Sequence, residues 1–563
     1  MKIIFFSPHA FIGVHAIPEA LVANSIIKLG HEVIYIGCDR AYKNNCVSMS
    51  AAGVGFFSTE QQKNKVCNEC LSKKNAIIST FKFTSININD FMYEEDLNII
   101  QNDIKNLNKS NWFEYLYEDM PVGRYSAFEL ILGSKINKLT LSDNEFLVYK
   151  DSLISSLKTL FAAKRIFNIY QPDKVVVYNS FYSLNNIFCS LANKLGIDFY
   201  TLHAGSHLKD RLSLMTVFKG SLSASLVSRS NAWTIYRDSL LTKQKILKVH
   251  SHIKELFKAR SPWVYSIKAS GLSQDHIKKI LGIPKDKKII LATLSSLDEN
   301  FAGSLVDAIA PYDKPIFETQ NEWIDFLIKY ASTNRSIFMI IRPHPREYPN
   351  KRENILSQRS KELQEKFSKL PSNVVINYPS HNIAFHDLLR VVDLGLNTTS
   401  TTGIEFIFHN IPVINCDSGR VLAYPNELHI VAEDIDDYIY KINCTSKYNV
   451  KNQYLLVYKW LSFLFEVVQI DIQDAFRMND PNFVLKILLY IKRKLGFKNF
   501  LYGLDKSKNI DNLYNQKWLA YAILNNKESC LEERVRYQIN GPSAISDIDA
   551  ERYIGKLLQS LIK

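Results

Sequence analysis

No apolar run in the 563 residues approaches eighteen in length, so no membrane-spanning helix is expected. The opening residues, Met1-Lys2-Ile3-Ile4-Phe5-Phe6-Ser7-Pro8-His9, hold too short an apolar part for a secretory signal and pass directly into polar loop chemistry, so no leader is expected either. There is no internal repeat, no low-complexity segment, no zinc-finger spacing and no RNA-binding signature. Repeat architectures are thereby excluded, and nucleic acid is left without a reader. Cysteine is scarce, with eight in the whole chain. Without a signal this points to reduced thiols in a cytoplasm and not to a disulfide framework.

What is present is ordinary for a globular protein: 46% hydrophobic and 22% charged residues. The length calls for two or three domains. Lys and Arg number 69 against 56 Asp and Glu, a net charge of +13. Such a balance favours acidic partners, namely nucleotides, nucleic acid or an anionic membrane surface. The membrane surface is preferred to nucleic acid, because basic residues thicken toward the C-terminus. Residues 483–495 combine an apolar face with a basic rim. That segment either lies on an anionic membrane or packs as a surface helix with solvated lysines. The 29 tyrosines and 32 phenylalanines fill cores or line sugar and base sites.

Taken in order, residues 3–6 read as an apolar strand, 7–19 as a loop, and Ala20 to Leu29 as a helix stopped by Gly30. His31-Glu32-Val33-Ile34-Tyr35-Ile36-Gly37 is the next strand and completes a βαβ unit. Residues 38–170 form an insertion, mostly helical from 75 onward. It gathers Cys38, Cys46, Cys67 and Cys70, four of the eight cysteines. They either ligate Zn²⁺, hold an iron–sulfur cluster, or are core thiols. Lys174-Val175-Val176-Val177-Tyr178 is a buried strand followed by Asn179. After a helix ending at Gly196, Ile197 to Leu202 forms another strand that delivers His203 at its end. Residues 210–280 read as helical. A second domain opens near 276 with Lys288-Ile289-Ile290-Leu291-Ala292-Thr293-Leu294. The rhythm of strand, helix, Gly and strand predicts an α/β chain with two doubly wound sheets, 1–275 and 276–440. Strands are expected to stop near 440, leaving a helical extension over 441–563.

The densest chemistry lies between Ser336 and Cys416. Ile337-Phe338-Met339-Ile340-Ile341 ends in Arg342-Pro343-His344-Pro345, and Val391-Val392-Asp393-Leu394-Gly395-Leu396 ends in Asn397-Thr398-Thr399-Ser400-Thr401-Thr402-Gly403-Ile404-Glu405. Two strands thus end in anion-friendly loops, as at the carboxyl edge of a parallel sheet. Arg342 supplies a bidentate fork for phosphate. His344 can donate to a phosphate oxygen, and its two flanking prolines limit the entropy lost on ordering it. Ser400, Thr401 and Thr402 offer hydroxyls and N–H groups at a helix start. Glu405 either accepts ribose hydroxyls or caps its own helix.

Arg342-Pro343-His344-Pro345 followed by Ser400-Thr401 resembles the HP and Ser/Thr motif pair of GT-B glycosyltransferases of the capsule and lipopolysaccharide type, among them polysialyl-, Kdo- and glycerophosphotransferases. Gly403-Ile404-Glu405 through Ile411-Pro412-Val413-Ile414 is similar to the Glu-bearing helix and Pro-Val-Ile strand of the same enzymes. The likeness spans about eighty residues, and the βαβ opening carries it to the first domain in outline. It implies two Rossmann-like domains facing a cleft, with nucleotide phosphates on His344, Ser400 and Thr401. It further implies a nucleotide-sugar donor, a lipid-linked or growing glycan acceptor, and a cytoplasmic enzyme peripheral to the inner face of the cell membrane. No cofactor is expected for catalysis, and no metal bound through Asp-x-Asp is expected. Acceptor groups are then expected from the first domain, at His203, Asn179 and Arg124. For the catalytic base, Glu19 and His15 are the candidates, with His9 beside them, since they can take a proton near neutral pH. The alternative for Glu19 is a helix cap, and for Arg124 a solvated loop position. A glycerophosphate-type transferase or a non-catalytic nucleotide-sugar-binding partner on the same fold remains open.

Overall fold

Continuous apolar runs bounded by polar loops become strands buried on both faces, as parallel sheets covered by helices require. The computed structural model describes residues 1–261, 263–308, 315–350, 354–398, 400–416, 424–445, 453–472, 515–529, 531, 533–535 and 543–562. The first sheet is built from β1 (Lys2–Phe6), β2 (Glu32–Gly37), β3 (Thr84–Asn87), β4 (Lys174–Tyr178), β5 (Asp198–Ala204) and β6 (Leu214–Lys219). The second comprises β7 (Lys288–Thr293), β8 (Ile337–Arg342), β9 (Val374–Ile376), β10 (Leu394–Asn397), β11 (Val413–Asn415) and β12 (Ile430–Val431). A last strand, β13 (Ile470–Asp471), returns to the first sheet.

Among the described residues the orders are β13-β6-β5-β4-β1-β2-β3 and β12-β11-β10-β7-β8-β9. Strands β1 to β5 pair in parallel, while β6 and β13 run antiparallel at one edge. Every pair in the second sheet is parallel. Each sheet therefore reverses direction once, between β1 and β4 and between β7 and β10. These are two Rossmann-like doubly wound domains, followed by a segment whose described residues are largely helical.

Residues 75–170 are mostly helical, as expected, and β3 adds an edge strand whose Thr-Ser-Ile-Asn sequence has no apolar run to announce it. Two expectations are corrected. Residues 210–280 contain β6, whose Leu-Met-Thr-Val-Phe run is too short to tell strand from buried helix. Strands do not end at 440: β13 pairs with β6 at Ile470↔Met215. The segment after 440 is shared between the two domains. The helix Gln453–Phe463 packs on the helices Lys243–Lys258 and Thr402–Phe408, whereas Gln516–Leu524 lies on the helix Gly13–Lys28. That first helix also starts earlier than expected, at Gly13, and carries Pro18 inside it. Its residues from Ala16 to Ile26 are all buried, so tertiary packing overrides the two breaker residues. No described helix is long and apolar enough to cross a membrane. Residues 483–495 lie outside the described residues.

The domains are tied by side chains of the insertion. Lys135 Nζ donates to the Arg346 carbonyl at 2.6 Å, and Arg346 Nη2 donates to the Leu132 carbonyl at 2.9 Å. Apolar residues Ala302, Leu305 and Val306 of the second domain join the core of the first.

Candidate active site

The second sheet reverses between β7 and β10, where crossovers leave in opposite directions and a crevice opens. Thr293 ends β7, Arg342 ends β8, and Ser400, Thr401 and Thr402 follow β10. Across from them stand Asn179, just beyond β4, and His203 in β5. All of these line one cavity of about 530 Å³, together with His344 and Glu405.

Hydroxyls are knitted together on the second-domain side. Thr402 Oγ1 donates to Thr293 Oγ1 at 2.9 Å and lies 2.9 Å from Ser400 Oγ. Beneath them Asn397 Nδ2 donates to the Ser400 carbonyl at 3.0 Å, and Tyr424 Oη donates to the same carbonyl at 2.8 Å. Gly403 has to be glycine, since a Cβ there would sit 2.1 Å from Tyr424 Oη. Thr399 lies outside the described residues.

Arg342 is held from behind. Its Nη1 donates to Asn377 Oδ1 and to the Ile383 carbonyl. Burial draws its pKa down to about 10, opposed by the nearby Glu405 carboxylate. It stays a cation at neutral pH, in surroundings that penalise the charge until an anion arrives.

His344 caps the short turn that follows it. Its Nδ1 accepts from the Arg346 N–H at 3.2 Å. The remaining proton of the neutral ring is thereby fixed on Nε2, which becomes a hydrogen-bond donor. Burial, then the Arg346 charge, lowers its pKa to about 4, so the ring is neutral near pH 7. His203 is the complement. Its Nδ1 lies 2.9 Å from the Ala204 carbonyl, an acceptor, so Nδ1 carries the proton and the lone pair is on Nε2. Burial brings its pKa to about 4 as well, with smaller contributions from Arg211 and Arg229. Of the four histidines that line the cavity, His344 thus donates through Nε2 and His203 accepts there.

Glu405 neither caps its helix nor stands free. Its Oε2 lies 3.2 Å from His386 Nε2, and His386 Nδ1 is 3.1 Å from His409 Nε2. Asn179 takes a left-handed conformation with φ 60° and turns its own Oδ1 to accept from the Phe181 N–H at 3.1 Å.

The other predicted residues lie elsewhere. Arg124 forms a two-bond pair with Asp307 at 2.7 and 2.8 Å, reinforced by Tyr125 Oη on Asp307 at 2.8 Å. It is a bridge between domains and does not line the cavity. Glu19 faces into the first sheet because the helix already began at Gly13. Ser7 Oγ donates to it at 2.6 Å and the Tyr178 N–H at 2.9 Å. Burial raises its pKa to about 8. It ties β1 to β4, caps nothing, and is withdrawn from the cavity. His15 stacks on Tyr178 at 4.0 Å. Burial, then His9 and His203, lower its pKa to about 3, and it too is absent from the lining. Neither Glu19 nor His15, the residues expected as the base, lines the cavity.

Cys38, Cys46, Cys67 and Cys70 do meet around one small cavity. All four are free thiols, and burial pushes each thiol pKa upward, that of Cys46 to about 12. Among the described residues no group of three or more His, Cys, Asp or Glu is arranged to hold a metal ion.

Sequence reasoning missed Arg211, Arg229, Trp263 and Tyr265, which also line the cavity. They come from a loop, a helix and a connector that only the fold brings together, and no motif marks them. It also passed over Arg346, whose Nε and Nη2 donate to Asp298 Oδ2 at 3.0 and 2.9 Å. This buried pair holds the turn that presents His344.

No protein-family model matches the chain, and no curated protein matches it. Among solved structures, the KpsC beta Kdo 2,4 transferase of Thermosulfurimonas dismutans is similar at 11% identity and TM-score 0.30, over 47% of this chain and 74% of that one. S. aureus MnaA with UDP aligns at 11% identity and TM-score 0.24, over 88% and 97% of the two chains. CalG4, the calicheamicin glycosyltransferase, aligns at 12% and 0.24, over 82% and 94%. At such identities and TM-scores these likenesses identify no family and no substrate.

Proposed function

We propose that the chain is a glycosyltransferase that moves a sugar from a nucleotide-sugar donor to a lipid-linked or growing surface glycan, at the inner face of a membrane. The observation that carries this reading is one cavity with the donors Arg342, His344 and Ser400 to Thr402 on its second-domain side and the accepting Nε2 of His203 on the other. Arg342, the His344 Nε2–H and the hydroxyls meet the phosphates of the nucleotide. When the bond between the anomeric carbon and the phosphate oxygen breaks, negative charge grows on the leaving phosphate. Donors already aimed there stabilise that charge without reorganising. The acceptor hydroxyl forms the new bond to the anomeric carbon and gives its proton to His203 Nε2. An anionic donor in the cavity raises the pKa of His203 from about 4, which strengthens it as a base at the moment it is needed.

The test replaces His344 by Asn, which can still accept from the Arg346 N–H while removing the Nε2 donor, and by Ala. Thermal stabilisation by a panel of nucleotides and hydrolysis of nucleotide sugars are measured on the purified chain. Both variants are expected to lose about tenfold or more in nucleotide affinity and in hydrolysis. Unchanged affinity and hydrolysis in both variants sink this reading.

A further inference from the structure

The first-domain side of the cavity carries two guanidinium groups that the donor reading does not use. Arg211, in the loop between β5 and β6, lies over the Trp263 ring at 4.6 Å. Arg229 lies on the helix Leu222–Tyr236 and lines the cavity. No hydrogen bond or ion pair joins it to any described residue. Burial alone lowers its pKa, to about 10, with no carboxylate opposing. One carboxylate, Glu405, lines the cavity among the described residues, and it is engaged by His386. An arginine keeps its proton at neutral pH, and Arg229, partly buried in the cavity wall, presents its charge to the cavity with no partner among the described residues. The unmatched charge therefore calls for an anion from outside the chain.

We infer that Arg229, with Arg211 beside it, binds an oxyanion carried by the acceptor. The acceptor is thus an acidic glycan or glycolipid headgroup, its charge a sugar carboxylate or a linker phosphate. Trp263 and Tyr265, in the same lining, offer flat faces to a sugar ring. This rests on the proposal that Arg342 and His344 take the nucleotide on the opposite side.

Equilibrium binding to the full chain tests it with three probes: a trisaccharide ending in glucuronic acid, its carboxyl-reduced neutral twin, and dodecyl phosphate. Proteins compared are the wild type, Arg229→Gln, Arg229→Lys and His344→Asn. The wild type is expected to bind at least one acidic probe and to bind the neutral twin about tenfold or more weakly. Preference between the two acidic probes tells sugar carboxylate from linker phosphate. Arg229→Gln is expected to lose the acidic probe by about tenfold or more while keeping its nucleotide affinity, Arg229→Lys to retain part of it, and His344→Asn to show the reverse pattern. Arg229→Gln should also melt no lower than the wild type, because it removes a partly buried charge that has no partner among the described residues. A fall in its melting temperature makes Arg229 a structural residue and overturns the inference. So does an equal loss of nucleotide binding, or indifference of the wild type to probe charge. Acidic probe bound without any nucleotide bound would sink the donor reading alone.

Discussion

His344 and His203 are the same residue type at nearly the same lowered pKa, yet they do opposite things. The difference is which atom meets Nδ1: a backbone N–H fixes a donor at Nε2, a backbone carbonyl fixes an acceptor there. Glu19 shows the same dependence on surroundings. Its pKa is about 4.5 when unfolded and about 8 when folded. Below pH 4.5 both states hold the proton and its contribution to stability is fully present. Between 4.5 and 8 the folded state keeps a proton that the unfolded state has lost, so stability falls as pH rises; above 8 the loss is complete. Glu19→Gln retains an acceptor for the Tyr178 N–H and cannot ionise. Urea unfolding from pH 5 to 8 should therefore show a shallower decline than the wild type, by on the order of a few kcal/mol across the range. An unchanged slope would mean that Glu19 is ionised in the fold. Of the residues assigned from the sequence, those next to strand ends, Arg342, His344 and Ser400 to Thr402, were placed together by the fold. Those assigned by loop position, Glu19, His15 and Arg124, were not, because a buried helix start cannot be read from a stretch containing both Gly13 and Pro18.

Individual elements hold the loop that follows β10. The turn between β10 and the helix Thr402–Phe408 rests on Asn397, Tyr424 and the Ser400 carbonyl. Glycine at 395 lets the Phe406 ring lie against β10, since a Cβ there would meet the ring at 2.8 Å. Gly403 lets the helix start pass over Tyr424. Gly403→Ala is expected to destabilise the chain by about 1–3 kcal/mol through overpacking and to weaken nucleotide binding. Adding Tyr424→Phe removes the hydroxyl nearest the new methyl and should recover part of the loss. Melting temperature and nucleotide titration on the single and double variants check this; a neutral Gly403→Ala would show that the turn gives way freely.

Across the whole molecule, two carboxylates of the second domain hold guanidinium groups near the domain junction, at different depths. Asp298 and Arg346 are both buried, whereas the Asp307 side chain is 55% exposed and Arg124 is 28% exposed. Breaking the buried pair with Asp298→Asn should cost about 3–5 kcal/mol because it strands the Arg346 charge. Asp307→Asn should cost under about 1 kcal/mol, as water and salt screen an open pair. Denaturant unfolding of both variants measures the contrast, and equal costs would refute it. The alternation of apolar runs with helical spacing and glycine stops already specified two doubly wound sheets and the polar loops at their strand ends, because periodicity and turn chemistry act over a few neighbouring residues. Where the first helix begins, that β13 returns to the first sheet, and which arginines meet Trp263 and His203 were set by packing between segments tens to hundreds of positions apart. Contacts at that distance in the chain leave no local pattern, so they emerge when burial, charge and hydrogen bonding are satisfied together in the folded molecule.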